Sequence, residues 1–201
     1  SCAGASFKVT VTINPMPQIS TQNSSICSGE TFTINPTSTI VPNNTTYTWT
    51  VANNPNVSGF SNENVGQSSI SQTLVNNTNS SQTVVYTVTP TSGAAGNCLG
   101  STFLVTVTVN PKPTMVQPGN VTFNNGSPST PINFTTNNTG GTTTYAWTNN
   151  NTAIGLGASG SGATIPSFTP TNTGTAPITA TITVTPTYTS GGVSANGTPV
   201  T

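Results

Sequence analysis

Apolar residues along this chain alternate with Thr, Ser and Asn over short runs. In 103–109 (FLVTVTV), Phe103, Val105, Val107 and Val109 fall on one face, and Thr106 and Thr108 on the other. That period of two is the mark of a half-buried strand. The run 178–184 (ITATITV) repeats it. Such runs predict strands near 18–22, 30–35, 45–52, 68–75, 83–90 and 101–109, then near 121–124, 130–136, 142–149, 163–170, 176–188 and 198–201. Gly and Pro fall between the runs as punctuation. Thr is β-branched and suits a pleated, half-buried surface.

The chain repeats itself. Residues 2–15 (CAGASFKVTVTINP) match 98–111 (CLGSTFLVTVTVNP), and TTYTWT at 45–50 matches TTYAWT at 143–148. VTPT at 88–91 returns at 184–187, CSG at 27–29 aligns with NNG at 124–126, and CLG at 98–100 with ANG at 195–197. The predicted division is three-part: 1–14 as the last strand of a preceding repeat, 15–111 as one domain, and 112–201 as a second whose final strand is cut short. The expectation is a window from a longer array. The alternative is a subunit completed by strand donation from another copy. Pro15 and Pro17 precede one domain and Pro111 and Pro113 the next. Two prolines in four residues favour a stiff, extended joint.

Six or seven short strands in each repeat predict an all-β fold of tandem immunoglobulin-like β-sandwich domains in an extended array. Such sandwiches keep a core tryptophan on an early-middle strand. Trp49 and Trp147 hold that place, with Tyr47, Tyr145 and Phe103 as further core residues.

Composition narrows the function. The 201 residues hold 2 Lys, 2 Glu, and no Asp, Arg or His, while Thr, Asn and Ser number 44, 26 and 23. Acid–base catalysis needs paired ionisable groups, and metal sites need clustered His, Cys or carboxylate. Nucleic-acid binding needs cationic charge, and the formal net charge is +0. The expectation is no enzyme, no cofactor, no metal and no nucleic-acid partner. No apolar run is long enough to span a membrane.

The cysteines are Cys2, Cys27 and Cys98. The second domain replaces both equivalents, with Asn124 and Ala195, and joint loss is what a bonded pair predicts. The expectation is a Cys27–Cys98 disulfide, with Cys2 left unpaired because its partner lies in the preceding repeat. It implies an oxidising, extracellular setting. Three free thiols are the alternative.

The stretches ICSGETFTI, YTWTV, YTVTPTS and CLGSTFLVTVTVNPKP together resemble the PKD-like, immunoglobulin-like repeats of giant secreted surface proteins of Bacteroidetes. YAWTNNNTAIGLGASGSG and IPSFTPTNTGTAPITATITVTPTYT are similar to a sister repeat type. The resemblance implies a cell-surface adhesin exported by type IX secretion, of the kind that includes gliding-motility adhesins. It implies no catalytic residue.

Partners are then neighbouring repeats of the same chain, or other copies in a filament. An adhesive module binding surface glycans or a host or substratum protein is the competing reading, with Tyr188 or Phe60 as a stacking face. Thr179, Thr181, Thr183 and Thr185 could form an ice-binding ladder, but Thr is simply a favoured solvent-facing strand residue. Asn44 and Asn120 begin chance glycosylation sequons. An isopeptide bond from Lys8 or Lys112 to Asn, assisted by Glu30 or Glu63, is a remote option.

Overall fold

A computed structural model describes residues 2, 4–37, 40–93 and 96–201. Strands dominate it, and its one helical element is a single 3-10 turn, Thr152–Ile154, among the described residues. No helix there is long and apolar enough to cross a membrane.

The first unit contains β1 (Gln22–Cys27), β2 (Thr31–Ile34), β3 (Thr46–Val51), β4 (Val57–Ser58), β5 (Glu63–Gln67), β6 (Ile70–Thr73), β7 (Val75–Asn76), β8 (Gln82–Thr91) and β9 (Phe103–Asn110). One sheet has the order β1-β9-β8-β3-β5, and the pairs β2–β6 and β4–β7 face it. β1 runs parallel to β9, with Gln22 opposite Val105 and Cys27 opposite Asn110. All other pairings in this unit are antiparallel.

β9 shows why the sequence folds this way. Its inward residues Phe103, Val105, Val107 and Val109 are buried, and its threonines point outward. They pack with Phe32, Trp49, Ile70, Leu74, Val84 and Tyr86 in one core. The Phe32 and Tyr86 rings lie 5.3 Å apart across the layers. Tyr86 is fully buried, and its hydroxyl donates to Gln72 Oε1 at 3.0 Å.

The second unit contains β10 (Ile132–Asn133), β11 (Thr142–Asn149), β12 (Ser159–Ser161), β13 (Thr164–Ile165), β14 (Ile182–Ser190) and β15 (Val193–Asn196). Its main sheet is β12-β11-β14-β15, faced by β10–β13. Its buried core is smaller: Phe134, Tyr145, Trp147, Leu156, Ile165 and Val184. Val184 bridges Val200 where, in the first unit, Val88 pairs with Phe103.

Several expected strands move. The strand expected at 18–22 lies at Gln22–Cys27, because a parallel partner sets its register and its polar run QNSSIC carries no alternation to mark its ends. No strand forms at 121–124. β4, β5, β12 and β15 were not expected, being short and rich in Ser, Asn and Gly. Residues 4–14 join no sheet. Their alternating Phe7, Val9, Val11 and Ile13 are 88, 70, 77 and 89 % exposed.

The joint between the units as candidate functional site

β9 ends at Asn110, and Pro111–Lys112–Pro113 carries the chain into the second unit. Pro111 and Pro113 are buried, as is Pro17 before the first unit, while Pro15 is exposed. The prolines fix the backbone, and asparagines do the rest. Asn110 is 1 % exposed. Its Nδ2 donates to the Ser190 carbonyl at 2.9 Å, and its Oδ1 accepts from the Ser81 hydroxyl at 2.8 Å.

A second asparagine clamps the linker. Asn138 Nδ2 donates to the Lys112 carbonyl at 3.0 Å. Its Oδ1 accepts from Thr114 N–H at 2.7 Å and from the Thr114 hydroxyl at 2.9 Å. Beside it, Thr139 N–H donates to the Asn79 carbonyl of the first unit at 2.9 Å. Tyr188 closes the cluster, its hydroxyl donating to the Thr139 carbonyl at 2.9 Å. Asn76 supports the first unit's side, donating to the Ser80 and Val109 carbonyls at 2.8 Å each. Buried amides held by hydrogen bonds favour one geometry; left unpaired they are costly. The joint is therefore a hydrogen-bonded interface between the units.

Next to these bonds lies a cleft of about 450 Å³, lined by Cys27, Glu30, Lys112, Pro113, Ala195 and Gly197 among others. Cys27 ends β1 and is buried. Burial, and then the nearby Glu30 carboxylate, push its thiol pKa above the usual value. The Glu30 carboxylate accepts the Cys27 N–H at 3.0 Å, fixing the turn that follows β1. A neutral thiol here is a poor nucleophile. The cleft offers neither an activated group nor, among the described residues, a cluster able to hold a metal ion. The other depression, about 170 Å³, lies on the outward face of the first sheet among Thr48, Thr50, Thr87 and Thr89.

The expected Cys27–Cys98 disulfide is not present: Cys2, Cys27 and Cys98 are all free thiols. The topology explains this. Cys27 lies opposite Asn110, at the far end of β9. Cys98 precedes β9, and its carbonyl accepts from Ser92 N–H at the opposite end of the sandwich. The eight residues of β9 alone span roughly 25 Å, whereas a disulfide needs Cα atoms within about 7 Å.

The aromatic residues divide. Trp49, Trp147, Tyr47, Tyr145 and Phe103 all lie in the two cores. Tyr188, considered as a stacking face, is 1 % exposed and held by its hydroxyl. Phe60 packs against the first core. Neither offers a ring to a ligand. Sequence reasoning found the prolines of the joint and missed Asn76, Asn110 and Asn138. The one usable signal was the repeated Asn-Pro at 14–15 and 110–111.

These features define an all-β, immunoglobulin-like sandwich: a two-layer β fold with a core tryptophan opposite the centre of β8. Residues 24–113 match the family described as PKD-like domain, which spans the first unit from β1 through Pro113. Among solved structures, the amphioxus IgVJ-C2 molecule is similar at 13% identity, over 88% of this chain and 97% of that one, with a TM-score of 0.32. No curated protein matches the chain.

Proposed function

We propose that this chain is a structural repeat segment of a long extracellular surface adhesin or filament, a spacer that projects an adhesive region away from the cell. The observation that supports this most directly is the joint. Its buried prolines and the hydrogen-bonded Asn110 and Asn138 hold one unit on the next. Fixed joints let short sandwiches add length and stiffness instead of coiling. Chemistry supports the same reading: the sequence has no Asp, His or Arg, side chains on which most catalytic and metal sites draw. Two lysines and no arginine leave almost no trypsin sites, which suits an exposed fibre. Within this reading the partners are neighbouring repeats. The resemblance to Bacteroidetes adhesins extends it to type IX export and a place in gliding motility.

The test is the size of the native chain after boiling in detergent and reductant, beside electron micrographs of untreated material. The expected result is a chain many times larger than 20.3 kDa, seen as a beaded thread. A band near 20 kDa from a filament overturns the covalent-repeat reading in favour of separate subunits completed by strand donation. A cytoplasmic protein of any size overturns the surface role.

A further inference from the structure

The joint inside this chain is a template for others. Gly100 and Gly197 occupy the same environment in their two units. Gly100 N–H donates to the Pro90 carbonyl at 2.9 Å, and Gly197 N–H to the Pro186 carbonyl at 2.7 Å. A Cβ on Gly100 would meet Pro17 O at 2.5 Å, and one on Gly197 would meet Pro113 O at 2.7 Å. Only glycine allows so close a backbone approach. Cys98 in the first unit therefore corresponds to Ala195 in the second. The far ends correspond as well. Glu30 N–H donates to the Cys27 carbonyl at 3.0 Å beside Gly29 at φ 91, and Ser127 N–H to the Asn124 carbonyl at 3.2 Å beside Gly126 at φ 77. Each unit thus has a leading end, marked by Cys98 or Ala195, and a trailing end, marked by Cys27 or Asn124.

Within a unit the two marks are a sandwich length apart. At the joint they share one cleft, whose lining includes both Cys27 and Ala195. Gly191, in the turn leading into β15, approaches the joint as well, an added Cβ there lying 3.9 Å from the Ser25 hydroxyl. We propose that this joint is a disulfide station, closed wherever both positions carry cysteine, and that Cys98 is the first unit's half of such a bond. Its partner is a cysteine at the Cys27 position of another unit of the same build, docked on the first unit's leading end.

That leading end is cut for such a neighbour. The chain enters the first unit through Asn14–Pro17 as it enters the second through Asn110–Pro113. The Asn14 amide lies 3.0 Å from where a Gly96 Cβ would be, the counterpart of the Asn110 contact with the Ser190 loop. The arrangement also accounts for the paired loss of cysteine in the second unit. A unit lacking both marks makes uncrosslinked joints on either side, and Cys27 stays reduced in the cleft it shares with Ala195. In the closing step two thiols lose two protons and two electrons and one S–S bond forms. A low-molecular-weight disulfide such as oxidised glutathione takes them up and leaves as two thiols.

The proposal deepens the repeat-segment reading, but its test in solution does not depend on where the protein resides. Ala195→Cys is made in the full chain with Cys2→Ser and Cys98→Ser, and oxidised glutathione is added. The expected product is an intramolecular disulfide between Cys27 and the thiol introduced at position 195. Both titratable thiols then disappear, and non-reducing peptide mapping recovers the peptides holding positions 27 and 195 together. Ala180→Cys, made in the same background in place of Ala195→Cys, puts the new thiol on the second unit but outside the cleft lining, and is expected to leave Cys27 free. Free thiols at positions 27 and 195 after oxidation overturn the proposal, and so does linkage only between chains. In protein taken from cells, the expectation is Cys98 joined to a peptide of another unit and Cys27 recovered as a thiol. Cys98 recovered free, or joined to Cys27, overturns it.

Discussion

The two units differ most at one strand. In the first, β9 lies between β1 and β8 and contributes four buried side chains to the core. In the second, the corresponding edge of β14 has β15 and the single Val200 bridge beside it among the described residues, and 117–124 forms no strand. The buried core shrinks accordingly, from one reaching Ile26 to Val109 to a cluster of six residues. At roughly 1.5–3 kcal/mol for each large apolar side chain buried, the inward face of β9 contributes on the order of 10 kcal/mol, an upper estimate. That is comparable with the whole net stability of a typical domain, roughly 5–15 kcal/mol. One central strand therefore decides whether a Thr-rich sandwich of this size has a full core. It also decides whether the neighbouring parallel strand exists at all, since β1 has no other partner in its sheet.

The largest expected effect tests that strand against its own repeat. Val107 is fully buried, and Val11, 96 positions earlier in the matching motif, is 77 % exposed. Val107→Asp puts an unpaired carboxylate into the core and is expected to cost more than about 4 kcal/mol, abolishing the first unit's transition in calorimetry. Val11→Asp is expected to change either transition by less than about 0.5 kcal/mol. Equal effects from the two substitutions would mean that residues 4–14 are packed in solution. A silent Val107→Asp would remove β9 from its central role.

A smaller difference is expected at the asparagines that repeat with the same motif. Asn110 is buried with two side-chain bonds, one of them across the joint to Ser190, while Asn14 is only half-buried. Asn110→Ala leaves the Ser190 carbonyl and the Ser81 hydroxyl short of a partner, at a cost of about 1–3 kcal/mol. The expected readout is a lowered denaturation midpoint together with faster amide exchange in the turn joining β14 to β15. Asn14→Ala is expected to leave both unchanged. Faster exchange without loss of midpoint would place the role of Asn110 in the joint alone.

What the sequence shows and hides follows from the same physics. β3, β8, β9 and β11 announce themselves because alternation and Thr content report a half-buried strand directly. Trp49 and Trp147 mark the core because an indole is too large for the surface of so polar a chain. β1 is hidden, since its residues QNSSIC are placed by a partner 83 positions away, where Ser25 meets Thr108. The joint was half legible. Proline is rare enough to stand out, but Asn110 is one of 26 asparagines, and nothing local distinguishes the one that is buried. The cysteine pairing misled because the loss of two residues together does not show that they bond to each other.

The smallest expected difference lies between the two tryptophans, which occupy matching strands. Trp49 Nε1 donates to the Ser61 carbonyl at 3.0 Å. Trp147 Nε1 is buried with no partner among the described residues, its indole pressed against Gly160. Both replacements by Phe lose similar volume, so the cavity cost is shared. Trp49→Phe also loses a hydrogen bond, worth about 0.5–1.5 kcal/mol. Ser61 O keeps the Gln72 Nε2 donor at 2.9 Å, which holds that loss to the low end. Trp147→Phe instead removes an orphaned donor whose burial already costs about 1–3 kcal/mol. Taking the low end of both effects, the first unit is therefore expected to lose about 1.5 kcal/mol more from Trp49→Phe than the second loses from Trp147→Phe, measured from the two transitions of one denaturation curve. Equal losses would show that the Trp147 N–H is bonded in solution, and the two cores would then differ only in the apolar surface that β9 supplies.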